Sequence, residues 1–180
     1  QPVTRKTIDD LYSDLIFVPP GISIFGDPYL QNRENTFPAQ VIELSSFEIS
    51  KFEVTNGQFC DWLNIAHQEG SLIPSQKERG VFIDTKGNIL FRSIEANPDS
   101  QISYRPTHDQ AKPFTVLPGF DNYPAIHVTW HGAEEFSRTF GLRLPTEAEW
   151  ERAASVSNDE KNSTTKKWIY GFSKDTIDRS

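Results

Sequence analysis

The sequence predicts an α+β domain, a mixed or antiparallel sheet with flanking helices. Two observations carry that expectation. Short apolar runs are cut by Pro and Gly, as at Leu15-Ile16-Phe17-Val18 before Pro19-Pro20-Gly21, which is the punctuation of strands and turns. Three longer stretches each begin at a threonine, Thr55, Thr129 and Thr146, and continue with apolar residues at helical spacing.

In chain order, residues 1–14 are polar and read as a lead-in arm, with Thr7 to Leu11 the only hint of a helix. Leu15 to Val18 reads as a strand, and Ile22 to Gly26 as a second strand ending in a turn. Val41 to Leu44 and Ser46 to Val54 form one long or broken strand region. Thr55 then caps a helix, with Gln58 at the capping-box position and Phe59, Trp62, Leu63 and Ala66 as its apolar stripe to about Gln68. Val81 to Phe91 reads as a hairpin with a glycine-containing turn, and Phe114 to Gly119 as another short strand. Ile126-His127-Val128 reads as strand, followed by a helix with Trp130, Ala133, Phe136 and Phe140 on its buried face and Gly141 as its stop. At Thr146 a second capping box is completed by Glu149, with Glu147 adding negative charge to the first turn. Ser155 to Lys167 reads as a polar loop.

Composition narrows the function. Thirteen Phe and four Trp in 180 residues imply an aromatic-rich core. A net charge of -7 and no basic cluster beyond Lys166-Lys167 exclude a nucleic-acid backbone as the natural partner. With Cys60 as the single cysteine, the chain forms neither an internal disulfide nor a thiolate cluster by itself. The apolar runs are too short for a membrane span. Gln1 at the start and the lack of Met point to a processed N-terminus, and a secreted or periplasmic location is the expectation.

The run Leu142-Arg143-Leu144-Pro145-Thr146-Glu147-Ala148-Glu149-Trp150-Glu151 closely resembles the signature of the formylglycine-generating enzyme, or sulfatase-modifying factor, family. Glu53-Val54-Thr55-Asn56 resembles a second family motif, a strand turning directly into a helix. Tyr123 to Trp130 is similar to a third, Pro-Val-x-x-Val-Ser-Trp, with Thr129 in the place of the capping serine. Pro19-Pro20-Gly21 and Ile24-Phe25-Gly26 are approximate matches, and Trp168-Ile169-Tyr170-Gly171 resembles the Pro-Trp-Gly segment without its proline. The resemblance implies a C-type-lectin-like fold over residues 15–180, incomplete at its C-terminus. Gly-Asn-x-x-Glu-Trp, Gly-Gly-Ser and Gly-Phe-Arg segments of the family have no counterpart here. In catalytic members those later parts carry the copper-binding cysteines and calcium ligands, so copper and calcium are expected there and no cofactor in this chain. The implied function is a domain without a self-contained active site, completed by a C-terminal segment or a protein partner. The alternatives are part of a copper-dependent oxidase acting on a peptide cysteine, or a protein- or glycan-binding module that uses the hairpin at 81–91 and the loop at 155–167.

Several residues invite chemistry and also have plainer explanations. Cys60 offers a thiol nucleophile or copper ligand, but lies beside the apolar stripe of its helix, where a free cysteine serves as a small buried group. His127 and His131 are four apart, yet the strand-to-helix change between them breaks the facing geometry that zinc needs. Glu147, Glu149 and Glu151, near Arg143 and Arg152, offer an acid–base pair, or capping and surface ion pairing. Glu53 and Asn56 read as buried or half-buried polar groups fixing the strand-to-helix turn. Trp62, Trp130 and Trp150 occupy positions expected to pack. Trp168 and Tyr170 remain as the candidate ligand or partner surface.

Overall fold

The structure is a computed structural model that describes residues 4–26, 39–106, 112–159 and 164–167. Its elements run α1 (Asp10–Ser13), β1 (Leu15–Val18), β2 (Gly21–Phe25), β3 (Gln40–Leu44), β4 (Phe47–Ser50), α2 (Asn56–Gln68) and β5 (Ile73–Pro74). There follow β6 (Val81–Ile83), β7 (Ile89–Arg92), β8 (Ile102–Tyr104), β9 (Phe114–Val116), α3 (Trp130–Thr139), α4 (Glu147–Ser155), β10 (Val156–Asp159) and β11 (Thr164–Lys167). The α+β class is as the sequence implies. The single sheet is not: among the described residues the strands form five small sheets, β1-β4, β2-β3, β5-β6-β7, β8-β9 and β10-β11. Runs of two to five residues cut by turns do not extend far enough to share one ladder.

The chain divides into two units. The first joins residues 1–14 to 50–144, the second residues 15–49 to 145–180.

The first unit is built around α2. Thr55 caps it with a full box: Gln58 N donates to Thr55 Oγ1 at 3.3 Å while Thr55 N donates to Gln58 Oε1 at 3.0 Å. Phe59, Trp62, Leu63 and Ala66 are all buried, so the predicted stripe is the inward face. Around it gather Leu11, Leu72, Phe82, Leu90, Phe91, Ile102, Phe114 and Phe136. Most of the rings meet tilted or edge-on, as ring quadrupoles favour: Phe59 lies 5.0 Å from Trp62 and Phe82 lies 4.7 Å from Phe114, while Phe59 stacks on Phe136. Asn64 fixes α2 to β9, donating from Nδ2 to Phe114 O at 3.1 Å and accepting at Oδ1 from Phe114 N at 3.0 Å. Residues 4–14 are tied to this unit rather than trailing from it. Arg5 pairs with Asp61 and Asp121 at 2.9 Å each, Gln58 Nε2 donates to Thr7 O, and Tyr12 Oη donates to Phe140 O. The expected helix at Thr7 to Leu11 forms three residues later, as α1.

Two readings of this unit need correction. Ile126-His127-Val128 is not a strand; only single bridges join Thr55 to Pro124 and Phe91 to Val128, and His127 has φ of 59°, which no strand accommodates. Trp130 is 62% exposed rather than packed. The buried side of α3 is centred on Gly132 and Phe136, about 140° around the helix from Trp130 at 100° per residue. Gly141, with φ of 64°, ends the helix as its sequence position implies.

In the second unit, β2 and β3 pair antiparallel from Gly21↔Leu44 to Phe25↔Gln40. The strand region expected to reach Val54 stops at Ser50, where Ser50 Oγ donates to Phe52 O and turns the chain away. Within the stretch Ser155 to Lys167, expected as a loop, the described residues are strands instead: β10 and β11 pair antiparallel from Val156↔Lys167 to Asp159↔Thr164.

Candidate functional site

The signature helix α4 is organised by polar groups. Thr146 N donates to Glu149 Oε2 at 2.8 Å and Glu149 N donates to Thr146 Oγ1 at 3.2 Å, closing the predicted box. One turn on, Arg152 is only 3% exposed. Its guanidinium donates to Gly21 O at 2.9 Å, Ile22 O at 3.2 Å and Pro19 O at 3.0 Å, pinning the start of β2. Glu151 accepts from Gly26 N at the other end of that strand. Surface ion pairing therefore does not describe Arg152. Trp150, expected to pack, is 60% exposed, because Glu149 and Arg152 define the inward face and Trp150 points well away from it. With Glu149 engaged in the cap and Glu151 on backbone, these carboxylates do not form an acid–base pair.

Cys60 is buried, and desolvation pushes its thiol from 9.0 up to about 12, so it carries no thiolate at neutral pH. Asn56 is buried as expected, its Nδ2 donating to Gln101 Oε1 at 2.6 Å and Phe120 O at 3.1 Å. Glu53 is exposed, against expectation, because β4 has already ended and the chain there faces outward. His131 is exposed beside Trp130, with ring centroids 5.2 Å apart, while His127 turns its Nδ1 to Asn97. The two histidines do not face one site. Trp168 and Tyr170 lie outside the described residues.

One open cavity of about 210 Å³ lies in the first unit, lined among others by Lys6, Phe52, Glu53, Thr55, Asn122 and Pro124. Lys6 Nζ stands 3.7 Å over the Phe52 ring and pairs with Asp14. Asn122 holds the wall in place, accepting from Lys6 N at 2.8 Å and donating to Thr4 O at 2.9 Å. No sequence motif announced this cavity, since its residues come from three separate segments. Among the described residues, no three of His, Cys, Asp and Glu come together as a metal site requires. No helix among them is long and apolar enough to cross a membrane.

A family profile described as a sulfatase-modifying factor enzyme 1-like domain matches residues 2–177. The serine/threonine-protein kinase pkn1 of Chlamydia caviae is 31% identical over 163 residues, covering 86% of this chain and 22% of that protein. The formylglycine-generating enzyme of Thermomonospora curvata is 24% identical over 166 residues, covering 88% of this chain and 54% of that enzyme. The hercynine oxygenase of Mycolicibacterium smegmatis is 29% identical over 135 residues, covering 75% of this chain and 28% of that protein. The chain thus spans about a fifth of the similar kinase and about half of the similar formylglycine-generating enzyme.

Proposed function

The chain belongs to the sulfatase-modifying factor enzyme 1-like domain family, and from that premise we propose that it is a structural portion of such a domain, completed by further polypeptide. That polypeptide is a C-terminal segment or a partner chain, and the C-type-lectin-like architecture belongs to the completed form. The observation that carries this reading is the outer face of β2-β3. Antiparallel register puts Ile22, Ile24, Val41 and Glu43 on that face. Ile22 is 58% and Val41 74% exposed, and Phe17 on β1 is also exposed. Apolar patches on strands of two-stranded sheets are surfaces that proteins cover with another element.

On this reading, any chemistry comes from the completing polypeptide. The described residues do not fit a copper centre, because Cys60 is buried with a protonated thiol and the other donors do not converge. The likeness to the formylglycine-generating enzyme over 88% of the chain favours a second reading, that the completed domain is an oxidase of that type acting on a peptide cysteine.

The test compares the 180-residue chain with a version lengthened at its C-terminus, using a dye that fluoresces on apolar surface and size-exclusion chromatography. The short chain is expected to bind dye and self-associate, and the lengthened one to do neither. A monodisperse short chain that unfolds cooperatively and ignores the dye overturns the proposal. So does peptide-cysteine oxidation by the short chain supplied with copper.

A further inference from the structure

Residues 4–7 belong to no helix or strand, yet four side chains of the first unit hold them in place. Asn122 reads the main chain on both sides of Arg5: its Oδ1 accepts from Lys6 N at 2.8 Å and its Nδ2 donates to Thr4 O at 2.9 Å. Gln58 Nε2 donates to Thr7 O at 2.9 Å. Arg5 reaches Asp61 through Nη2 and Asp121 through Nε, at 2.9 Å each, and Nη2 also donates to Gly57 O at 3.1 Å. Thr4 and Lys6 line the open cavity while Arg5 turns to the two carboxylates, the alternation of an extended segment. The carboxamides thus bind main-chain groups that any extended segment carries, and the carboxylates select arginine. That division, main chain for affinity and one side chain for specificity, is how peptide-recognition surfaces work.

The receiving surface is fixed by bonds that do not involve the arm. Asn56 N donates to Tyr123 O and Gly57 N to Asp121 O, at 2.8 Å each, so the first free amides of α2 hold the 121–123 loop. Gly57 keeps the floor open, since a Cβ there would stand 3.0 Å from Arg5 Nε. The arm's hold at this end is by contrast releasable. The Arg5 side chain is 41% exposed and those of Asp61 and Asp121 are 34% and 37% exposed, within reach of screening salt. Further along, Leu11 is buried in the core and anchors the arm when residues 4–7 lift.

We infer that the face formed by the first turns of α2 and the 121–123 loop is a receptor for an extended, arginine-bearing peptide segment of another protein, and that residues 4–7 are a strap occupying it in cis. Charge complementarity identifies the occupant. When the strap lifts, Asp61 and Asp121 lose the guanidinium they share, and an incoming arginine restores both pairs. The face lies wholly in the first unit and does not depend on what completes the second.

The probe is an acetylated, amidated peptide with the sequence of residues 4–9, titrated into the full isotope-labelled chain and followed by amide chemical shifts. In the parent chain the strap competes. In Arg5→Ala the strap loses its ionic anchor, and the same peptide should bind roughly tenfold more tightly because the open fraction of the face rises. Shifts should centre on the amides of Gly57, Asp61 and Asn122. A peptide with alanine in place of its arginine should not bind, and adding Asp61→Asn and Asp121→Asn to the Arg5→Ala chain should abolish binding of the original peptide. If Arg5→Ala does not fold, amide exchange in the parent carries the test: the Lys6 amide should exchange faster than the Leu11 amide and accelerate with added sodium chloride. Equal affinity in parent and Arg5→Ala, undiminished binding of the alanine peptide, or a Lys6 amide as protected as that of Leu11 at every salt concentration each overturns the inference.

Discussion

Arg152 Nη1 donates to the carbonyl oxygen of Gly21 at 2.9 Å, joining α4 to the first residue of β2 across 131 positions of sequence. Charge-assisted bonds of this kind contribute more than neutral ones, and the guanidinium fork serves three carbonyls at once. Arg152→Ala is expected to cost roughly 3 kcal/mol in urea unfolding. Arg152→Lys should recover only part of that, since one ammonium on a flexible stem does not reproduce the fork. Full stability in Arg152→Ala would show that the three bonds are dispensable.

Gly132 sits inside α3, where glycine ordinarily weakens a helix. Here a Cβ would land on the Leu90 carbonyl oxygen of β7. The close approach also lets Thr129 Oγ1 reach Ile89 O and Thr129 N reach Leu90 O. Gly132→Ala, despite its better helix propensity, should therefore destabilise by roughly 2–3 kcal/mol. Loss of amide-exchange protection at β7 is the accompanying sign to look for.

The two capping boxes differ in burial. Thr55 is buried, whereas Thr146 is exposed. Thr55→Ala should cost about 2 kcal/mol and Thr146→Ala about 1 kcal/mol, the upper and middle parts of the range for N-caps. Denaturation midpoints at a shared slope would measure both, and equal losses would contradict the ordering.

Cys60 predicts a dependence on alkaline pH. Below pH 9 its thiol is neutral in both folded and unfolded chains, so its contribution is full. Between pH 9 and 12 the unfolded thiol ionises while burial keeps the folded one protonated, and stability falls by up to about 4 kcal/mol. Burial raises Tyr104 in the same direction. Cys60→Ala should flatten part of the decline across that window, and iodoacetamide should modify the native thiol only slowly at pH 8. Rapid alkylation of the folded protein would contradict its burial.

Local signals proved legible where one segment decides the outcome. Thr55 with Gln58 and Thr146 with Glu149 announce their boxes within four residues, and the stripe from Phe59 to Ala66 announces the core. What was not legible depends on which side of a helix meets its neighbour. Trp130 and Trp150 look like core residues by hydrophobicity, but Gly132 and Arg152 set the inward faces through contacts with β7 and β2. The cavity beside Lys6 and Phe52 escaped for a related reason, since its lining is assembled from Thr4, Glu53 and Asn122, distant in sequence.

The nesting of one unit's sequence within the other's has a consequence for synthesis. During translation, residues 15–49 emerge well before residues 145 onward, from which α4 and its Arg152 come. The β2-β3 ribbon must wait on the ribosome for more than a hundred residues before its carbonyls meet that guanidinium. Meanwhile the intervening stretch can collapse onto α2. Birth order therefore makes the earliest apolar ribbon the last to be secured, and gives chaperones their longest opportunity there.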